Sequence, residues 1–491
     1  MNYSTLLTLL LTAPVADALL PLAQRLLPHL QELVQLLHDF RSQPVTPATT
    51  HAFERRLQEL LRAVGLDLTD WTFNHLEDGP LPQHLDAQGE RYRRRCPTPH
   101  TVATLCGPVQ LWRQLYEAVE PGNPCLFPLE QRLGIVAGAA TPALADRASW
   151  WLAQQPQGRT VDLLARDHGV TWSAETLRNV TGAFAAGLEA QRQDAQVEHV
   201  LAWLQQAEQS RGRHRPTLVV GRDGLHLPMR SGAYQEGATA TLTVYDRRGR
   251  RRGTVYLGRM PQPGQETLSH QLTALLEDVL RQWHGPVPRL GYVTDDGHHP
   301  ATYYRRVLAR LRHPRTGERL DWQRVVDFYH AAQYVQQLAE ALFGATKTAR
   351  KWARRMRRRL KEKDGVKRLL QAATYHRQMR GLKGRREEAF EKAYRYLRRN
   401  GKWMAYWRYA RLGLPLGSGV TEAGCKTVFT QRLKQSGMRW DVAGGQVVVT
   451  LRVVLLSGVW DNAVARLLAC QTNSGPGVMH AATRETCENA A

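Results

Sequence analysis

Three β-type runs follow one another after Pro216: "PTLVVGRDGLHLPM", "ATATLTVYDRRGR" and "RGTVYLGRM". Each is rich in Val, Thr, Leu and Tyr, each ends in turn residues, and "DRRGR" predicts a hairpin. The next stretch, "ETLSHQLTALLEDVLRQWH" (residues 266–284), changes to helical spacing. A fourth strand, "RLGYVTDDG", a helix, "ATYYRRVLARLRH", and a fifth strand, "DWQRVVDFYH", complete the series. Three antiparallel strands followed by strand, helix and strand predict a mixed α/β sheet with helices on its faces.

Acidic residues fall where these strands end. Asp223 closes the first in "LVVGRDGLHL", and Asp295 and Asp296 close the fourth in "YVTDDGHHP". Strand ends of an α/β sheet are where ligand sites form. Far downstream, "GLPLGSGVTEAGCKTVFTQRLKQSGMRW" places Glu422 at the mouth of a basic amphipathic helix. A glutamate in a first turn is favoured by the helix dipole. Three acids converging without a His or Cys ligand pair instead suit a hard cation, Mg²⁺ or Mn²⁺. Two such ions about 4 Å apart serve in-line phosphoryl displacement.

Charge points to the substrate. The chain of 491 residues has 67 Lys/Arg against 44 Asp/Glu, a net charge of +23. Residues 346–411 alone hold 24 Lys/Arg against 5 Asp/Glu, with Trp and Tyr interleaved. Such a concentration predicts a nucleic-acid partner ahead of a membrane. Arg354, Arg355, Arg358 and Arg359, with Arg432 and Lys434 of the Glu422 helix, are the candidate phosphate contacts. The stretch "TVDLLARDHGVTWSAETLRNVTGAF" (residues 160–184) predicts two short helices around Gly169, approximating a helix-turn-helix. Six dispersed cysteines form neither a zinc motif nor a disulfide framework, which predicts a reducing compartment. The leucine-rich N-terminus continues past residue 17 at helical spacing, which favours a helical bundle over a signal peptide.

With these residues in view, "GRDGLHL", "TDDGHHPATYY", "VVDFYHA" and the long segment from Leu414 to Asp461 resemble DDE-type insertion-sequence transposases. The likeness is greatest to the bacterial Kra-type family, and it spans residues 216–461. It implies a ribonuclease H-like catalytic core in which Asp223, Asp296 and Glu422 are the catalytic, metal-holding acids. Asp296 is chosen over Asp295 because it directly precedes the motif's glycine. "DFYH" matches an Asp-x-x-His element, which makes Asp327 and His330 accessory residues. The partners implied are double-stranded DNA, as element ends and target, and further copies of the chain, in the cytoplasm at the nucleoid. An alternative is a catalytically silent DNA-binding protein derived from a transposase.

The expected order is a helical N-terminal domain (1–95), then a DNA-binding region with a candidate helix-turn-helix (96–210). The first part of the core (211–330), a basic helical insertion (331–411) and the second part of the core (412–465) follow. A disordered tail (466–491) ends the chain.

Overall fold

The computed structural model describes residues 16–473 apart from Gln88, Pro121 and Asp296. It divides into two compact units, residues 1–187 with 466–491, and residues 188–465.

In the first unit, helices α1 (Ala16–Ser42) and α2 (Pro47–Asn74) pair. Arg25 donates to Asp67 and Asp70, both at 2.9 Å. Thr46 and Thr49 exchange side-chain and backbone hydrogen bonds to cap α2. Strands β1 (His84–Ala87), β2 (Glu90–Thr104) and β3 (Gly107–Ala118) form an antiparallel meander. The boundary placed at 95 falls inside β2. Helices α3 (Pro128–Leu133), α4 (Pro142–Gln154) and α5 (Gln157–His168) follow.

Gly169 closes α5 at φ 65°, a left-handed conformation that favours glycine. The next helix, α6 (Ala174–Gln209), is 36 residues long, not the short second helix expected after the turn. Its apolar positions continue past residue 184 as Leu188, Val197, Val200 and Leu204, all buried. The helix has reason to continue because its face stays apolar.

The second unit is built on one sheet. Strands β4 (Thr217–Pro228), β5 (Tyr234–Tyr245) and β6 (Arg251–Arg259) are antiparallel. After helix α7 (Glu266–Gln282), strand β7 (Arg289–Thr294) pairs parallel with β4; after helix α8 (His298–Arg306), strand β8 (Trp322–Val326) pairs parallel with β7. The order across the sheet is β6-β5-β4-β7-β8. The expected mixed sheet is present. The "DRRGR" turn is there too, with Asp246 Oδ1 accepting from the N–H groups of Arg248 (2.8 Å) and Arg250 (2.9 Å).

Alternation splits β4 between two cores. Leu218 and Val220 face a cluster with the apolar sides of α6 and α7. Val219 faces the other way, into a cluster with the helices that follow β8. Those are α9 (Phe328–Phe343), α10 (Lys347–Leu360), α11 (Gly365–Arg380), α12 (Arg385–Asn400) and α13 (Tyr406–Leu412). Tyr406 and Tyr409 donate to the carbonyls of Val326 (2.9 Å) and Arg324 (2.8 Å), which ties α13 to strand β8.

Helix α14 (Gly419–Cys425) passes through a π-helical turn (Lys426–Thr430) into Gln431–Leu433. Helices α15 (Val442–Leu456) and α16 (Trp460–Asn473) follow. The tail expected to be disordered from 466 is helical as far as Asn473, and the rest lies outside the described residues. Among the described residues, no single helix is long and apolar enough to cross a membrane.

Candidate active site

Asp223 and Glu422 come together because residue 221 is glycine. A Cβ there would lie 1.9 Å from Thr421 Oγ1, a distance no side chain tolerates. Without it, α14 rests on the middle of the sheet, and the Thr421 and Thr241 hydroxyls share a hydrogen bond of 2.8 Å. Residues 221 and 223 share one face of β4. The helix that touches Gly221 therefore brings its next residue, Glu422, into the electrostatic field of Asp223.

The electrostatics report that closeness. Burial is the largest cause raising the Asp223 carboxyl above its ordinary value, and the charges of Asp295 and Glu422 raise it further. The Gly224 N–H, donating at 2.8 Å, and the Cys425 thiol pull the other way. Cys425 is itself buried; burial first, then the Asp223 charge, holds its thiol well above the ordinary range. A thiol kept protonated is a poor nucleophile, so Cys425 packs and donates.

Glu422 is exposed, and its Oε1 accepts from the hydroxyl of Ser418, the N-cap of its own helix, at 2.8 Å. The same Ser418 Oγ lies 2.7 Å from Asp327 Oδ2, which also accepts the Ser418 N–H. Asp327 is 0% exposed, and its other oxygen caps α9 through the His330 N–H at 2.7 Å. One buried carboxylate thus fixes the start of two helices. The His330 ring does a second job, packing edge-on against Tyr334 and Tyr396. Tyr396 in turn donates to the Asp295 carbonyl at 3.1 Å. Asp327 therefore reaches Glu422 through Ser418, and His330 reaches the Asp295 backbone through Tyr396.

Asp296 lies outside the described residues. Its neighbour Asp295 is half-buried, and its Oδ1 accepts from the Gly297 N–H at 3.0 Å. His298 and His299 sit in the first turn of α8, edge-on to each other. Among the described residues, no three His, Cys, Asp or Glu side chains make a group able to hold a metal ion. The donors at hand, Asp223 and Glu422, are nonetheless oxygen-only and mutually repelling, a set that suits a hard divalent cation.

The basic candidates divide. Arg354, Arg355 and Arg358 are exposed on the face of α10 opposite Ala349, Ala353 and Met356, while Arg359, seven residues after the buried Trp352, is half-exposed at its flank. Lys434 is exposed. Arg432 is not available to a phosphate here, because it is 1% exposed and lies under the Trp440 ring, 5.5 Å away. Burial, with the charge of Arg452 behind it, lowers its pKa to about 10.

Sequence reasoning passed over Gly221, Ser418, Thr421 and Tyr396. Gly221 had a signal, as a glycine inside an apolar strand marks close backbone approach. No protein-family model matches the chain, and no curated protein does.

Proposed function

We propose that the chain is the DNA transposase of an insertion sequence, with a ribonuclease H-like core that cuts element ends and joins them to target DNA. The observation that carries this reading is the meeting of Asp223 and Glu422 on one sheet face, 199 residues apart in sequence, beside the strand end that bears Asp295. The strand order, three antiparallel strands continued by two parallel ones, agrees with such a core.

Asp223, Asp296 and Glu422 would hold two Mg²⁺ or Mn²⁺ ions. The chemistry such a pair supplies is activation of an attacking oxygen and stabilisation of a leaving one. The protein's own part is to keep its acids close, against their repulsion, through Gly221, Ser418 and Asp327. The reaction is hydrolysis of a phosphodiester to free a 3′-hydroxyl, followed by attack of that hydroxyl on target DNA. The exposed arginines of α10 and Lys434 hold phosphates. An apolar stripe on α1, formed by Leu20, Leu27, Leu30, Val34 and Leu37 and 45–51% exposed, has heptad spacing and supports pairing between copies. A reducing, cytoplasmic setting at the nucleoid agrees with the net charge and with six cysteines dispersed along the sequence.

The test is cleavage of DNA carrying the flanking inverted repeats, with Mg²⁺ or Mn²⁺. Asp223→Asn, Glu422→Gln and Asp296→Asn are each expected to abolish cleavage and spare DNA binding, with Asp295→Asn milder. The reverse ranking of the two neighbours assigns the second acid to Asp295. Binding by the unaltered chain without any cleavage would make it a silent, transposase-derived DNA-binding protein.

A further inference from the structure

The helical segment after β8 contains an open groove of about 800 Å³ that no step above uses. It lies along α11 and is closed on the other side by residues 394–407. Three aromatic side chains line it, Tyr375, Tyr394 and Trp407, together with the cations Lys367, Arg398 and Lys402. Tyr375 is 58% exposed, so its ring is open to a ligand. Tyr394 is fixed from behind by a hydrogen bond with Thr374 (3.2 Å) and by stacking on Phe390. The carboxylates in the lining are Glu362, paired with Arg368 at 3.3 Å, and Asp364.

Flat aromatic faces beside exposed cations match the requirements of unpaired nucleotides, whose bases stack while their phosphates are neutralised. A duplex hides its base faces and gains nothing from the rings. The volume suits roughly one or two nucleotides rather than a helix, given that pockets for single small ligands span about 300–1,000 Å³.

We propose that this groove binds single-stranded DNA, with Tyr375 as an exposed stacking platform and Lys367, Arg398 and Lys402 on the phosphates. The proposal rests on the nucleic-acid reading of the chain but not on the chemistry of its acids.

Fluorescence anisotropy on the full chain tests it, with oligothymidine of about 12 nucleotides, within the range bound by single-strand sites. A duplex of unrelated sequence is the second probe. Tyr375→Ala is expected to weaken oligothymidine binding about 5- to 100-fold, the range of one lost base stack. Duplex binding should stay within about two-fold, since phosphate contacts there come from elsewhere. Tyr375→Phe, which keeps the ring, should bind as the unaltered chain does. Because Tyr375 is exposed, neither variant threatens the fold, and circular dichroism checks this. Equal oligothymidine affinity for the alanine variant overturns the proposal, as does an equal loss on duplex. An unaltered chain that binds duplex but not oligothymidine overturns it while sparing the proposed function. Failure to bind either DNA overturns both.

Discussion

Asp223 carries a carboxyl that burial and two like charges hold above its ordinary value. Raised in the folded state, it stabilises the protein below the ordinary carboxylate range, and that contribution disappears as pH rises through the raised value. At neutral pH its charge is therefore a burden on the fold. Asp223→Asn should melt higher than the unaltered chain at pH 7 in EDTA, by about 2–4 °C for each kcal/mol relieved. The gain should vanish at acid pH, and calorimetry across pH 3.5–8 reads both ends. A variant that melts lower at neutral pH would show that the carboxylate is held by favourable partners.

Ser418 acts one step away from the acids. Its hydroxyl lies between Asp327 and Glu422, and a hydrogen bond to a charged group is worth about 1.5–3 kcal/mol. Ser418→Ala should lower cleavage by roughly 10- to 100-fold, which is that energy expressed as a rate. DNA affinity should be kept, while the Mg²⁺ concentration for half-maximal rate rises. An unchanged Mg²⁺ requirement would mean that the Ser418 hydroxyl does not position Glu422.

Among the elements, α10 shows how sequence pattern becomes surface. Ala349, Trp352, Ala353, Met356 and Leu360 recur at three- and four-residue spacing and are buried, which turns Arg354, Arg355 and Arg358 outward. Each phosphate neutralised on duplex DNA contributes about −0.9 to the log–log salt slope. Replacing Arg354, Arg355, Arg358 and Arg359 by alanine should flatten that slope by roughly two to four units. Helix content should survive, since alanine is the best helix former. A slope that does not change would make the row a solvated face.

The helix after Glu422 shows the opposite case. Its π-helical turn leaves the Thr427 and Val428 carbonyls to Arg452, whose Nε donates to both at 3.0 and 2.9 Å. Burial lowers Arg452 to about 10, and its charge acts on Arg432 in turn. A basic residue at a helical position reads as surface. Here the widened turn and the packing of α15 put Arg432 inside.

Across the whole molecule, the elements of the second unit's sheet follow from local patterns in the chain. The strands at 217–228, 234–245 and 251–259 follow from local β-branching and turn chemistry. The helix over 266–282 follows from its leucine spacing. These signals are local, so they need no fold to be read. Asp295 stood out for the same reason, since it follows the last residue of β7, whereas Asp223, expected to close its strand, lies inside β4, which continues to Pro228. Local pattern was weaker where a boundary depended on packing, as in β2 and in α6, which runs on past residue 184 to Gln209.

Which acids meet, and what holds them, depends on long-range packing. The contact of Gly221 with Thr421 and the bridge from Asp327 through Ser418 to Glu422 join residues 91 to 200 positions apart. No local propensity records such a pairing. It exists because a bare glycine lets a helix rest on the sheet, and because a buried carboxylate must find donors wherever the fold brings them.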